Sequence, residues 1–129
     1  MSNWRIPSAL CIGISVITPA AAQAQGVTRQ LMQTSDFPDG YTTVTGVATL
    51  TAGSCAGAHT HPGLETSYVL EGEIILKVDG RPDQKFKAGD SFQVPVAGKH
   101  DACNPGSAPS KVLVIYVIER GKPIASPAS

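Results

Sequence analysis

The chain has 129 residues, with ten basic and ten acidic side chains and a formal net charge of zero. A neutral chain whose charges are scattered rather than clustered has no electrostatic claim on nucleic acid or an anionic membrane surface. Its length suffices for one domain, which buries a modest core and would gain from a metal, a crosslink or a partner subunit.

Residues 1–24 read as a signal peptide. Arg5 precedes an uncharged, mostly apolar run from Ile6 to about Ala22, and Ala22-Gln23-Ala24 supplies the small-x-small pattern cut before Gln25. Ala20-Ala21-Ala22 is a second site of the same kind. The run is short for a bilayer span and holds Pro7, Gly13 and Pro19, so a retained anchor is not expected. Leu10 stands before Cys11 where a lipoprotein signal needs a small residue, so lipidation is not expected either. Loss of Arg5 leaves nine basic and ten acidic residues, a charge of −1. The expected location is periplasmic or secreted.

Residues 25–40 read as an N-terminal arm, with Gln25 to about Leu31 an arm or an edge strand and Asp36–Gly40 a turn. Residues 41–118 read as a β-barrel. Thr42–Thr51 is rich in β-branched residues, and Ala58–His61 is short, extended and broken by Pro62-Gly63. Glu65–Leu70 leads into Glu73–Val78, and Asp79-Gly80 marks a hairpin to Gln84–Lys87. Ser91–Val94 and His100–Cys103 are further short strands. Val112–Ile118 is an apolar run suited to a central strand buried on both faces. Residues 119–129 carry two prolines and are expected as a flexible tail. Short strands with glycine and proline punctuation, and no crossover helix, specify an all-β antiparallel double-sheet barrel.

The chain has three histidines, His59, His61 and His100. On a strand, residues two apart share a face, so His59 and His61 point the same way and can chelate one ion. Pro62-Gly63 then turns the chain so that Glu65 can return to that ion, and His100 arrives from a neighbouring strand. Three imidazoles and a carboxylate suit a divalent transition metal (Fe, Mn, Ni, Co, Zn or Cu) better than calcium or magnesium. Four protein ligands on an octahedral ion leave two positions open, the condition of a reactive site. The ion and one glutamate together carry a charge near +1, which favours carboxylate or enolate ligands. The bland alternative is a histidine pair packed in a barrel mouth and holding nothing.

The same residues reproduce a known pattern. Gly53, five residues, His59-x-His61, three residues, Glu65, six residues, Gly72 resembles the first cupin motif throughout. Gly89, five residues, Pro95, then His100 and, after three more, Asn104 resembles the second. One position departs: the glycine usual two residues after the proline is Ala97 here, with Gly98 next to it. The resemblance implies a cupin-type double-stranded β-helix, or jelly-roll barrel, with His59, His61, Glu65 and His100 as metal ligands in its mouth, often as a homodimer. It also implies metal-dependent chemistry on a small oxygenated molecule, of dioxygenase, isomerase or lyase type. The alternative function is a non-catalytic small-ligand or sugar-binding module with a structural metal.

Gly53, Gly72 and Gly89 read as turn devices, and Asn104 as a residue that ties down its own turn. Tyr41, Tyr68, Gln93 and Tyr116 are candidates to line the cavity, with Gln93 a candidate to orient substrate; the alternative is ordinary barrel filling. All three histidines are claimed by the metal, which leaves no base for a serine or cysteine nucleophile and no separate general base. Export would leave Cys55 and Cys103 in an oxidising compartment. If the strands around His59 and His100 are antiparallel neighbours, position 103 lies opposite about position 56. That register allows a disulfide, against the alternative of two buried thiols that never meet.

Overall fold

The computed structural model describes residues 26–129. The expected signal peptide, residues 1–24, and the Gln25 cleavage point lie outside the described residues. Ten strands follow in order: β1 Val27–Ser35, β2 Tyr41–Leu50, β3 His59–Thr60, β4 Gly63–Glu71, β5 Glu73–Val78, β6 Gln84–Lys87, β7 Ser91–Val94, β8 His100–Cys103, β9 Ser110–Glu119 and β10 Ser126–Pro127. They form two five-stranded sheets, ordered β1-β2-β9-β4-β7 and β10-β3-β8-β5-β6, and every ladder is antiparallel. This is an all-β jelly-roll barrel.

Alternation of apolar and polar residues decides which way each strand faces. In β9 the buried set is Ser110, Val112, Val114, Tyr116 and Ile118, while Lys111, Leu113, Ile115 and Val117 are half-buried. The expectation of burial on both faces is therefore corrected. One face meets the opposing sheet, and the other is only half-buried. Ile74 and Leu76 from β5, Phe92 and Val94 from β7 and Val69 from β4 complete the core.

Both ends of the described chain belong to the barrel. Val27 is buried, and β1 pairs along β2 from Val27↔Leu50 to Ser35↔Thr43, with a bulge between Leu31 and Gln33. The arm is thus an edge strand. Residues 119–129, expected as a flexible tail, are held as well: Glu119 closes β9, Ile124 packs against the core and Ser126–Pro127 pairs with β3. One apolar side chain and two paired residues suffice to dock a segment whose prolines read as unstructured.

Gly63 sets how closely β4 approaches β9. A side chain there would place its Cβ against the backbone carbonyl of Val117 and the Cα of Ile118. Only glycine admits this approach. Immediately before it, Pro62 carries the chain from the smaller sheet to the larger one, so neighbouring stretches of sequence serve both walls of the barrel.

Candidate metal centre

His59, His61, Glu65 and His100 are all buried, and each can offer a ligand atom such that all four atoms lie within 4.8 Å of one another. The fold explains the convergence. His59 pairs directly with His100 across β3 and β8, with ring centroids 4.2 Å apart. His61, two residues after His59, has its ring 4.9 Å from His59 and 5.1 Å from His100. Glu65 enters from β4 in the opposite sheet, where it pairs with Tyr116 of β9.

Each imidazole is oriented by a backbone carbonyl. His59 Nδ1 donates to Gly57 O at 2.6 Å, His61 Nδ1 to Ile124 O at 2.5 Å and His100 Nδ1 to Gly98 O at 2.9 Å. A carbonyl oxygen only accepts, so Nδ1 must carry the proton in all three rings. That leaves the three Nε2 lone pairs for a ligand, the tautomer a metal needs. Glu65 is oriented in turn: Ser67 Oγ donates to its Oε1 at 2.7 Å, while its Oε2 lies 2.7 Å from His61 Nε2 and 3.5 Å from His100 Nε2.

A metal ion fits this donor set. His61 Nε2 is buried without a hydrogen-bond partner despite its closeness to the carboxylate. Two acceptors facing each other in a dry site repel unless a cation or a proton lies between them. Opposite ligands on an ion with bonds of ~2.1 Å would be ~4.2 Å apart, so small adjustments close the cluster around one ion.

Electrostatics follow the same geometry. Burial is the main cause that lowers the His59 pKa to about 4, aided by the neighbouring imidazoles. Burial alone would raise the Glu65 pKa, but the His100 and His61 rings beside its Oε2 and the Ser67 hydroxyl on its Oε1 hold it well below the usual carboxylate range. Burial opposes the His100 shift, which the bonds to Glu65 and Gly98 turn upward. Tyr116 is pushed up to about 12, by burial and then by the Glu65 charge, with Arg29 beside its hydroxyl opposing the rise.

The protein-family comparison matches a cupin domain over residues 46–116, more than half of the chain. The chain is a cupin. Solved structures with the same fold include a cupin superfamily protein from Desulfitobacterium hafniense, 18% identical, with TM-score 0.62 over 78% of this cupin and 84% of that chain. The DMSP lyase DddQ from Ruegeria pomeroyi is 23% identical, with TM-score 0.58 over 67% of this cupin and 43% of that chain. Oxalate decarboxylase from Bacillus subtilis, described with Mn(II) centres, is 26% identical, with TM-score 0.59 over 66% of this cupin and 23% of that chain. This cupin thus spans less than half of the lyase chain and about a quarter of the decarboxylase chain. A comparison with curated proteins gives no match.

Of the four candidates to line the cavity, only Tyr116 does so. Tyr41 and Tyr68 are exposed, and Gln93 faces outward, where its Nε2 donates to Thr66 Oγ1. Gln93 is therefore not placed to orient a substrate, because inward positions on β7 belong to Phe92 and Val94. Three contributors were missed. Ser67 sits two residues after Glu65, which puts it on the same face by strand parity. Arg29 sits two after buried Val27, the same signal. The Ile124 carbonyl has no sequence signal. Cys55 and Cys103 are disulfide-bonded and opposite one another, which settles the alternatives left by the sequence.

Proposed function

We propose that this cupin is an exported metal-dependent enzyme in which His59, His61, Glu65 and His100 hold one transition-metal ion and a small oxygenated molecule is transformed beside it. The observation that carries the reading is the shared orientation of the imidazoles: three Nδ1–carbonyl bonds leave three Nε2 lone pairs in one cluster with Glu65, those of His61 and His100 within 3.5 Å of its carboxylate. A structural role alone would be served by a closed ligand sphere, whereas four protein ligands leave room for exogenous ones on an octahedral ion. The Mn(II) centres of the similar oxalate decarboxylase make manganese the first ion to test. The Cys55–Cys103 disulfide supports export to an oxidising compartment. The half-buried Leu113, Ile115 and Val117, beside the outward Leu64 and Tyr68, support pairing of two copies through the larger sheet.

When bound, a divalent ion there would polarise an oxygen ligand and lower the pKa of bound water. The chain's own residues do the rest. The Nδ1–carbonyl bonds fix the rings, Ser67 fixes Glu65, and Val112, Val114 and Phe92 keep the inner wall apolar. Tyr116 keeps its hydroxyl proton at neutral pH and can donate it in a hydrogen bond to a ligand.

Elemental analysis of protein from its native compartment tests the ligand set. Near-stoichiometric metal in the wild type, and its loss in His59→Ala and His100→Ala, is the expected result. Metal content unchanged in both variants would rule the site out. Turnover is tested on the metal-loaded protein with a panel of small hydroxy, keto and dicarboxylic acids; full metal occupancy with no reaction would leave only the binding-module function.

A further inference from the structure

Besides the ligands His59, Glu65 and His100, one charged side chain lines the cavity at the cluster: Arg29 of β1. Strand parity puts it there, since Val27 two residues earlier is buried in the core. Its ladder partner on β2 is Ala48, whose small inward side chain leaves space below the guanidinium. The remaining wall near it is apolar, formed by Leu50, Phe92, Val112 and Val114. Tyr116 supplies a hydroxyl beside the guanidinium.

Arg29 has no counter-ion here. Among the described residues no carboxylate oxygen lies within 4 Å of it, although seven such pairs occur elsewhere. Glu65, the one acid in the cavity wall, is committed: Oε1 to Ser67, and Oε2 to His61 and His100. A half-buried guanidinium against an apolar wall costs free energy unless an anion meets it. With a divalent ion in place, Glu65 is more than neutralised and the cavity carries two excess positive charges. The geometry is that of a receptor for an anion, and a guanidinium presents its donors as a fork that matches a carboxylate.

We propose that Arg29 is the specificity-determining residue of this cavity, binding the carboxylate of a small organic acid whose other oxygen reaches the metal. The inference rests on the metal-centre reading above. The cavity measures about 30 Å³, room for one or two water molecules, which favours an acid of one or two carbons over a sugar ring.

The test titrates formate, acetate, glycolate and the neutral glycolamide into Mn(II)-loaded wild type, Arg29→Gln and Arg29→Lys, by calorimetry, with metal content and thermal midpoint measured separately on each. The wild type is expected to bind at least one acid tenfold or more tighter than glycolamide. Arg29→Gln should lose that preference with its metal content unchanged, and Arg29→Lys, which keeps the charge but not the fork, should lose only part of it. Equal acid affinity in wild type and Arg29→Gln, or no preference for any acid over glycolamide, would overturn the proposal. If Arg29→Gln fails to fold, the wild-type preference and the Arg29→Lys loss decide. A wild type that takes up no Mn(II) sinks the metal centre alone; the same titration of the metal-free protein then decides Arg29, which survives only if acid binding persists and depends on it.

Discussion

The two sheets of the barrel are built on different terms. The larger sheet is a continuous hydrogen-bonded block: β2 pairs with β9 from Tyr41↔Glu119 to Leu50↔Ser110, and β4 follows β9 nearly as far. The smaller sheet has two-residue strands at one side, and β3 meets β8 through the single pair His59↔His100. Yet the smaller sheet and its borders supply all three imidazoles, while the larger one supplies Glu65. Apart from the four-pair β5–β8 ladder that holds His100, the site side depends on single links: the Cys55–Cys103 disulfide, the Nδ1–carbonyl bonds, and Asn104 reaching across to Leu50, Thr51 and Ala108. A barrel can therefore keep one wall stiff by regular pairing and position ligands on the other by individual ties.

If that contrast is right, cutting the ties should hurt more than the short strands would suggest. The disulfide closes a loop with a sequence separation of 48 residues. Chain entropy for such a loop predicts a loss of about 4 kcal/mol on reduction, an upper figure because native strain and residual structure intervene. Urea denaturation with and without a reductant, and of Cys55→Ser/Cys103→Ser, measures it. Metal release should also quicken, since the linked positions flank His59 and His100. Equal midpoints in the oxidised and reduced proteins would show that β3 and β8 do not need the covalent tie.

The next effect is expected from pH in the metal-free protein. His59 has a folded pKa of about 4 against an unfolded value near 6.5, so the folded state prefers the neutral ring. Below pH 6.5 the unfolded chain binds a proton that the folded one does not. Stability then falls as pH drops from 6.5 to about 4, by as much as about 3 kcal/mol, and the penalty is complete below that. Glu65, with a depressed folded pKa, adds a loss that begins only below the ordinary carboxylate value. His100 runs the other way: its raised folded pKa contributes stability below 6.5 that is lost as pH rises through the folded value. Urea midpoints of wild type and His59→Asn at pH 7 and pH 4.5 separate these effects. The variant should show a much shallower decline between the two pH values, and an undiminished one would mean that His59 does not drive it.

Asn104 tests the seam between the sheets. Its Nδ2 donates to Leu50 O at 3.1 Å, Thr51 O at 3.2 Å and Ala108 O at 2.8 Å, while its Oδ1 accepts from Gly106 N at 2.8 Å. Asn104→Ala removes all four bonds, the buried one to Leu50 O among them, at a cost of about 2 kcal/mol. The loss should appear in the denaturation midpoint with metal content at neutral pH preserved, because none of these bonds touches a ligand side chain.

The strands were legible because their signals are local. Thr42–Thr51 and Glu73–Val78 carry β-branched or alternating residues, and Asp79-Gly80 turns the chain as the dipeptide implies, with Gly80 at φ 75°. The meeting of His59, His61, Glu65 and His100 was legible through parity and motif spacing together. What escaped the sequence depends on distant partners. Ile124 is one apolar residue among prolines and small residues, and only the barrel end it covers makes it a core residue. Its carbonyl matters to His61 through a backbone contact that no side chain announces. Arg29 escaped because a lone arginine on an edge strand reads as surface until Val27 is known to face inward. Burial on both faces of β9 was overread because an apolar run does not say whether its outer side meets another layer.

The smallest effect concerns the turn that presents His100, where this cupin departs from its family pattern. Ala97 has φ 56°, in the left-handed region, and Gly98, its neighbour, donates its N–H to Pro95 O at 2.9 Å. A left-handed conformation costs an L-residue with a Cβ about 1 to 2 kcal/mol, which glycine avoids. Glycine in turn loses more backbone entropy on folding, so the two effects partly cancel. Ala97→Gly should therefore raise stability by about 0.5 kcal/mol, read as a small upward shift of the urea midpoint. The turn also places Gly98 O, which receives the His100 Nδ1 proton at 2.9 Å. If the ties on the smaller sheet position ligands one at a time, relaxing this turn should leave metal affinity within about twofold, because the carbonyl that orients the ring is already in place. A clear drop in affinity would instead mean that the strained alanine helps to hold Gly98 O on the ring, and that the turn contributes to the site as well as to the fold.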